Sequence, residues 1–304
     1  MASSVLETLS NEYAAAAEAV GGSVVAIYGR RWLPSSGIQW RKGVIVTAHH
    51  SIRREEDIAV VLAGGKSVKA NLAGRDPSTD LAVLKLGEEA SIPVPQFGDS
   101  TAVKLGYFVL ALGRSRTSSL VASAGIIGGL SGEWQPRRGG RLHQHIRLDL
   151  ELYPGFSGGA LVSPQGKVLG INTRGLARGR GVTIPNATVN RVVDELLEKG
   201  HIARPYLGLA MQPVSVPESL RGKIVASVNS ALLVVHVEKA GPAEKAGVQL
   251  GDVVTELHGK PVEDTGDIQD LLGSAKVGDS VKATVLRGGA PVTLSIKLED
   301  RPAR

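Results

Sequence analysis

Apolar positions between residues 23 and 173 fall in short, β-branched runs rather than in long periodic stretches. The runs are 23–28, 43–47, 58–62, 81–86, 108–112, 120–127, 145–150, 160–162 and 168–173. Runs of this length, rich in Val and Ile, predict strands. Turn residues punctuate them: Pro34-Ser35-Ser36-Gly37, Gly64-Gly65, Asp76-Pro77, Gly139-Gly140 and Pro164-Gln165-Gly166. Many short strands without intervening helices predict an all-β barrel or sandwich rather than βαβ units. Helical spacing is confined to the flanks. Residues 3–19 predict a helix, with Ser3 or Ser4 as N-cap and Gly21-Gly22 as the stop. Residues 186–199 predict another, with Val189, Val192, Val193, Leu196 and Leu197 at helical spacing and Gly200 just past its end.

The pattern changes after Arg204-Pro205. Strands are predicted at 206–211, 232–237, 252–257, 281–286 and 292–298, with helical pieces at 243–246 and 265–274. This mixed unit has its own apolar pattern and does not repeat the first. The expected organisation is a helical segment 1–21, a β-rich domain 22–203 and an α+β domain 204–304.

Composition narrows the chemistry. The 304 residues are 42% hydrophobic and 21% charged, with 38 glycines and 4% aromatic residues, a globular profile long enough for two cores. The formal charge is +6, but the basic residues are scattered and the densest group, Arg137-Arg138 with Arg141, stands in a Gly-rich loop. No aromatic-interleaved basic face accompanies it, so no nucleic-acid partner is expected. Cysteine is absent, which excludes thiolate catalysis and Cys-based zinc sites, and the seven histidines lack metal-ligand spacing. No cofactor or metal is expected. No apolar run approaches the roughly 18–20 residues of a membrane span, and residues 1–21 lack the basic start and apolar core of a signal peptide.

One stretch stands out: Tyr153-Pro154-Gly155-Phe156-Ser157-Gly158-Gly159-Ala160-Leu161-Val162. Glycines on both sides of Ser157 let the backbone turn sharply and let a substrate carbonyl come close. The turn can aim the N–H groups of Gly155 and Ser157 at one point, as an oxyanion hole requires. A serine nucleophile also needs a base and a group that orients the base. His49 and His50 end the strand 43–47, and the stretch 76–84 carries Asp76 and Asp80 at the mouth of an apolar run. A carboxylate there is costly unless hydrogen-bonded, which suits a group that holds an imidazole. The order His–Asp–Ser on a β-rich chain is the chymotrypsin order.

These segments resemble the HtrA/Deg family of trypsin-like serine proteases with one PDZ domain, over about residues 22–299. Gly43-Val44-Ile45-Val46-Thr47-Ala48-His49-His50-Ser51 is similar to the family's histidine segment and selects His50. The aspartate segment selects Asp80, and the nucleophile segment selects Ser157. The resemblance implies a chymotrypsin-like double β-barrel followed by a PDZ domain, with backbone N–H groups of Gly155, Phe156 and Ser157 as the oxyanion hole. It places Leu152, Ile171 and Thr173 near the P1 pocket and pairs strand 168–173 with substrate. With no acidic residue evident at the pocket base, a small or medium aliphatic P1 is expected. Tyr206-Leu207-Gly208-Leu209 resembles the PDZ carboxylate-binding loop. This sequence departs from the family at Tyr153, Phe156 and Ala160, where Asn, Asn and Pro are usual.

The expected function is ATP-independent endopeptidase action on unfolded or misfolded proteins, with peptide C-termini captured by the PDZ domain and a homotrimer as the assembly. The alternative is a latent protease that serves as a PDZ peptide-binding or chaperone module. The family implies a bacterial envelope location; a chain complete as given would be cytoplasmic.

Overall fold

The computed structural model describes residues 4–30, 33–87, 90–114, 119–136, 140–177, 179–218 and 229–301. Ser3, Arg137 and Arg138 lie outside them. The chain divides into two compact units, Met1–Ile202 and Ala203–Arg304.

The first unit opens with helix α1 (Val5–Gly21), whose N-cap Ser4 accepts a hydrogen bond from the Glu7 N–H. Six strands follow: β1 (Val24–Tyr28), β2 (Ser35–Arg41), β3 (Val44–Ala48), β4 (Ile58–Val61), β5 (Ser67–Asp76) and β6 (Leu81–Leu86). They close a barrel in the order β1-β2-β3-β6-β5-β4. A second closed barrel is built from β7 (Phe108–Arg114), β8 (Leu120–Ser131), β9 (His145–Asp149), β10 (Ala160–Val162), β11 (Val168–Ala177) and β12 (Arg180–Pro185), in the order β10-β11-β12-β9-β8-β7. Closure leaves no open sheet edge. Helix α2 (Asn186–Lys199) ends at Gly200, whose φ of 76° supplies the left-handed cap.

Three strands correct the sequence expectation. Pro34-Ser35-Ser36-Gly37 reads as a turn, but residues 35–37 form the buried start of β2, paired with β1 and β3. These residues are small because space is short: a Cβ on Gly37 would lie 2.9 Å from Ile45 Cγ2 and closer still to Ile27. Strand β5 alternates buried and exposed positions over Val68–Leu72, a pattern interrupted by the polar residues of its exposed face. Strand β12 likewise lies outside the expected runs.

Each barrel has its own core. Val25, Ile27, Ile45, Ile58 and Leu84 fill the first, and Val109, Ile127, Ile146, Phe156 and Leu161 belong to the second. A third cluster joins the barrels to both helices, drawing on Ala16, Val20, Ile38, Val46, Leu112, Ile171 and Val192. Burial of a single Leu or Ile contributes about 1.5–3 kcal/mol, so this seam is what fixes one barrel against the other.

The second unit pairs β13 (Pro205–Tyr206) with β20 (Glu299–Asp300). Its main sheet runs β14 (Leu209–Ser215), β15 (Ser230–Val237), β16 (Val253–Leu257), β18 (Ser280–Arg287), β19 (Ala290–Lys297), with β17 (Lys260–Pro261) paired to β16. Helix α3 (Pro242–Lys245) and helix α4 (Thr265–Ser274) complete the unit. Asp264 caps α4 in a capping box with Asp267. Leu232, Val234, Val254, Ile268, Val285 and Ile296 form its core. The architecture is that of a trypsin-like double barrel followed by a PDZ-like sheet domain.

Candidate active site

Strand β3 ends at Ala48, and a single 3-10 turn, His49–Ser51, turns His50 toward the seam between the barrels. The turn before β6 is folded by Asp76, which accepts from Ser78 N–H (3.1 Å), Ser78 Oγ (2.6 Å) and Thr79 Oγ1 (2.7 Å). That turn delivers Asp80 in the left-handed region, φ 58°, which aspartate tolerates better than most side chains. Asp76 and Asp80 therefore have different tasks: one builds the turn and the other faces the histidine. Asp80 Oδ2 lies 2.7 Å from His50 Nδ1, and its Oδ1 accepts the His50 N–H at 2.9 Å. The His49 N–H donates to the Asp80 carbonyl at 2.9 Å. The Asp80 side chain is 2% exposed and that of His50 32%.

Thr173 from the second barrel donates its hydroxyl to Asp80 Oδ2, and accepts the Gly175 N–H at 2.9 Å. Gly175 is packed against the pair itself: a Cβ there would lie 2.8 Å from His50 Nδ1 and nearer still to Asp80 Oδ2. Neither contact is visible in the sequence, since Asp80 and Thr173 are 93 residues apart.

Ser157 follows a tight turn. The Phe156 N–H donates to the Tyr153 carbonyl at 3.0 Å, Pro154 stands second, and Gly155 third with φ 98°, the signature of a type II turn. Among the described residues, the N–H groups of Gly155 and Ser157 have no protein acceptor. Phe156 was expected to share the oxyanion role; its N–H closes the turn instead, which leaves two donors. Gly158, at φ 90°, sits against β2 and β3, where a Cβ would come 2.9 Å from Ala48 N and closer to Thr47 and Ser36. Gly159 meets the Leu112 carbonyl of β7. The two glycines after Ser157 thus let the loop enter the seam two residues from His50. The Ser157 hydroxyl, in a residue 8% exposed, makes no hydrogen bond among the described residues.

Phe156 is buried in the second barrel's core at 3% exposure, with its ring edge-on to Tyr153 (centroids 5.4 Å apart, planes at 80°). Its Cδ1 lies 2.9 Å from where Gly113 would carry a Cβ. The aromatic ring occupies room that this glycine vacates, so the departure at position 156 anchors the turn rather than covering it.

The expected pocket residues separate. Ile171 is fully buried in the inter-barrel cluster, and Thr173 is fully buried with its hydroxyl on Asp80, so neither lines an open pocket. Alternation explains it: the inner half of β11 is sealed by β10 and β12 on its two sides. Substrate pairing over 168–173 is excluded for the same reason, with Asn172 also bonded to the main chain of Gly158 and Gly159. The open stretch is Arg174-Gly175-Leu176, where pairing with β12 lapses between Thr173 and Ala177. Leu152, 5% exposed, does border a cavity of about 470 Å³ and packs on Gly181. Exposed Asp149 and Glu151 also line that cavity, together with Arg147, Arg174 and Arg180.

In the second unit, Tyr206, Leu207, Gly208 and Leu209 line a groove of about 420 Å³ faced by Ile268 and Leu272 of α4 and by Arg301. The carbonyls of Leu207 and Gly208 accept from Ala243 N–H (2.9 Å) and Glu238 N–H (2.8 Å). The N–H groups of these two residues have no protein acceptor among the described residues. Strand β14 is an edge of its sheet. No group of three or more His, Cys, Asp or Glu side chains among the described residues is placed to hold a metal. No helix among them is long and apolar enough to cross a membrane.

The sequence matches the trypsin-like peptidase domain over residues 35–171 and the PDZ domain over residues 205–298. It is 37% identical over 271 residues to the serine protease Do-like HtrA of Lactobacillus helveticus, covering 85% of this chain and 65% of that protein. To its counterpart in Lactococcus lactis it is 32% identical over 284 residues, 86% of this chain and 70% of that one. A DegP-like relative from Bartonella henselae, described as periplasmic, is 33% identical over 265 residues, 86% of this chain and 52% of that one. The chain thus spans a little under two-thirds of the first of these relatives. The solved structure of the HtrA-type protease AlgW with a decapeptide superposes with a TM-score of 0.72 at 25% identity, over 96% of this chain and 99% of that one. With both of its domains matched in order, and the Lactococcus lactis relative spanned over 70% of its length at 32% identity, the chain belongs to the HtrA family of Do-like proteases.

Proposed function

We propose that the chain is a serine endopeptidase that cleaves unfolded or misfolded proteins without ATP, with Ser157 as nucleophile, His50 as general base and Asp80 as its orienting carboxylate. The observation that carries the reading is the His50–Asp80 pair, held from the second barrel by Thr173 and set beside a turn with two unused N–H donors. Because Asp80 contacts Nδ1, the proton of the neutral ring is held there, and Nε2 is left as the base. His50 takes the Ser157 proton as Oγ attacks the peptide carbonyl. The oxyanion is received by the N–H groups of Gly155 and Ser157, in a site where water does not need to reorganise. His50⁺, stabilised by Asp80, then protonates the leaving amine, and water repeats the cycle on the acyl-enzyme.

Leu152 closes the space beside Gly181, which favours a small or medium aliphatic P1, and Arg174 to Leu176 offer the main chain to which substrate can pair. At the PDZ unit, the N–H groups of Leu207 and Gly208 receive a C-terminal carboxylate, and β14 gains the peptide as a further strand. The family supports a homotrimer and a cell-envelope location. Ala16 and Val20 of α1 are committed to the chain's own core, whereas Val5 and Leu6 are exposed and available for assembly. A light-scattering mass of one chain would remove the trimer, and recovery with cytosolic markers after cell fractionation would remove the envelope.

The test compares wild type with Ser157→Ala on unfolded casein. Loss of the nucleophile is expected to cost about 10⁴-fold or more in kcat, and equal degradation by both proteins overturns the assignment. The unbonded Ser157 hydroxyl gives the latent reading a specific basis, so a fluorophosphonate probe decides between them: labelling of Ser157 at rest supports the peptidase, and silence even with peptide activators supports a PDZ binding module.

A further inference from the structure

We propose that Ser36 is a positioning residue of the active site, holding the oxyanion turn open from beneath. The inference rests on the peptidase reading and adds a residue that neither the triad nor the turn contains. Ser36 lies in β2 of the first barrel and is fully buried, whereas the turn it serves belongs to the second. Its Oγ donates to the Gly155 carbonyl at 2.7 Å, and its N–H donates to the Ser157 carbonyl at 3.2 Å. One residue therefore holds the two carbonyls that flank Phe156.

The geometry makes this consequential. Residues 155, 158 and 159 are glycines, so the loop has few side chains to hold its backbone and many conformations open to it. With both carbonyls drawn toward β2, the N–H groups of Gly155 and Ser157 are left free for the seam. Without the hydroxyl, the half-buried Gly155 carbonyl loses its donor, and rotation of the adjoining peptide toward another partner becomes the favoured response. Rotation there alters the turn that aims the Gly155 N–H.

The hydroxyl is itself held. Ser36 Oγ accepts the Arg114 N–H at 2.9 Å, which directs its single proton to Gly155. Arg114, 5% exposed, donates from Nη2 to the Gly21 carbonyl at the end of α1 (2.6 Å) and from Nε to the Val24 carbonyl. Gly113 keeps the slot open, since a Cβ there would lie 2.8 Å from Ser36 Oγ. Burial lowers the Arg114 pKa from its ordinary value, but an arginine remains charged across the working range. A continuous path of hydrogen bonds thus runs from the end of α1 through Arg114 and Ser36 to the turn.

The experiment is Ser36→Ala in the full chain, assayed on a peptide substrate, with Thr47→Val as control. Thr47 donates its buried hydroxyl to the Ser36 carbonyl at 2.7 Å, so the control removes a comparable bond to the same residue without releasing the turn. Ser36→Ala is expected to lower kcat about 100-fold, the scale of a misplaced catalytic group, with KM changed less than about twofold. Fluorophosphonate labelling of Ser157 should slow in parallel, because the phosphonyl oxygen uses the same two donors. Thr47→Val is expected to lower the melting temperature to a similar degree while keeping kcat within about threefold. Wild-type kcat in Ser36→Ala overturns the inference, as does an equal loss of kcat in Thr47→Val. A wild-type protein without Ser157-dependent hydrolysis would instead fail the peptidase reading, and the inference with it.

Discussion

Gly175 has no reactive group, yet it is placed where any side chain would press on the His50–Asp80 pair. Gly175→Ala is expected to lower kcat/KM about 100-fold by displacing the imidazole, while the melting temperature changes little, since the residue is exposed. An activity within threefold of wild type would show that the pair yields to the methyl group. The reactive side chains themselves were legible, because His50, Asp80 and Ser157 each sit in a short motif at the end of an apolar run. Their supports were not. Thr173 reads as a pocket residue until β11 is seen to turn its hydroxyl onto Asp80, and Ser36 reads as part of a turn until β2 is seen to run beneath Gly155. In both cases the partner is on the other barrel, so no local pattern contains it.

Elements were most legible where one face alternates or repeats, and least where small residues answer to a distant neighbour. Helix α2 and its stop at Gly200 follow directly from periodicity. Strand β2 does not, because its Ser-Ser-Gly start is set by the crowding of Ile27 and Ile45 and by the loop above it. Strand β14 carries a functional expectation of its own. It is an edge strand beside two unused N–H groups, and edges of this kind accept a further strand. A labelled peptide with a free C-terminus should bind the protein at least about tenfold more tightly than its amidated form, as loss of a charge-assisted hydrogen bond requires. Equal affinities measured by fluorescence anisotropy would exclude carboxylate capture by the loop.

At the scale of the whole molecule, the two units rest on different physics. The first is fixed by an apolar seam between closed barrels, whereas the second sets a buried carboxylate, Asp252, against the half-buried guanidinium of Arg287. Asp252, 1% exposed, accepts Arg287 Nε at 2.9 Å and Nη2 at 2.8 Å, and also the Gln249 N–H at 2.8 Å. Burial by itself would raise the Asp252 carboxyl, but the Arg287 guanidinium and the Gln249 N–H outweigh it and hold the pKa below its ordinary value. Asp267 is lowered too, by the N–H groups of Glu263 and Asp264. A carboxyl with a lower pKa folded than unfolded gives stability above its unfolded value of about 3.9, and that stability is lost as pH falls through the folded value. Amide exchange in β15 and β18 of the full chain should therefore accelerate relative to the intrinsic rate between pH 5 and pH 2.5. Protection that holds constant across that range would show that the pair contributes no pH-dependent stability.

The division of the site across the seam also has a consequence in time. A ribosome releases the chain from its N-terminus, so β1 to β6, with His50 and Asp80, emerge while the second barrel is still being made. Ser157 follows only after another 77 residues, and Thr173, which fixes Asp80, comes later still. Until β11 is in place the histidine lacks its full support, because the Thr173 hydroxyl has not yet reached Asp80. On the peptidase reading, the site therefore cannot be assembled on a nascent chain before the second barrel is made.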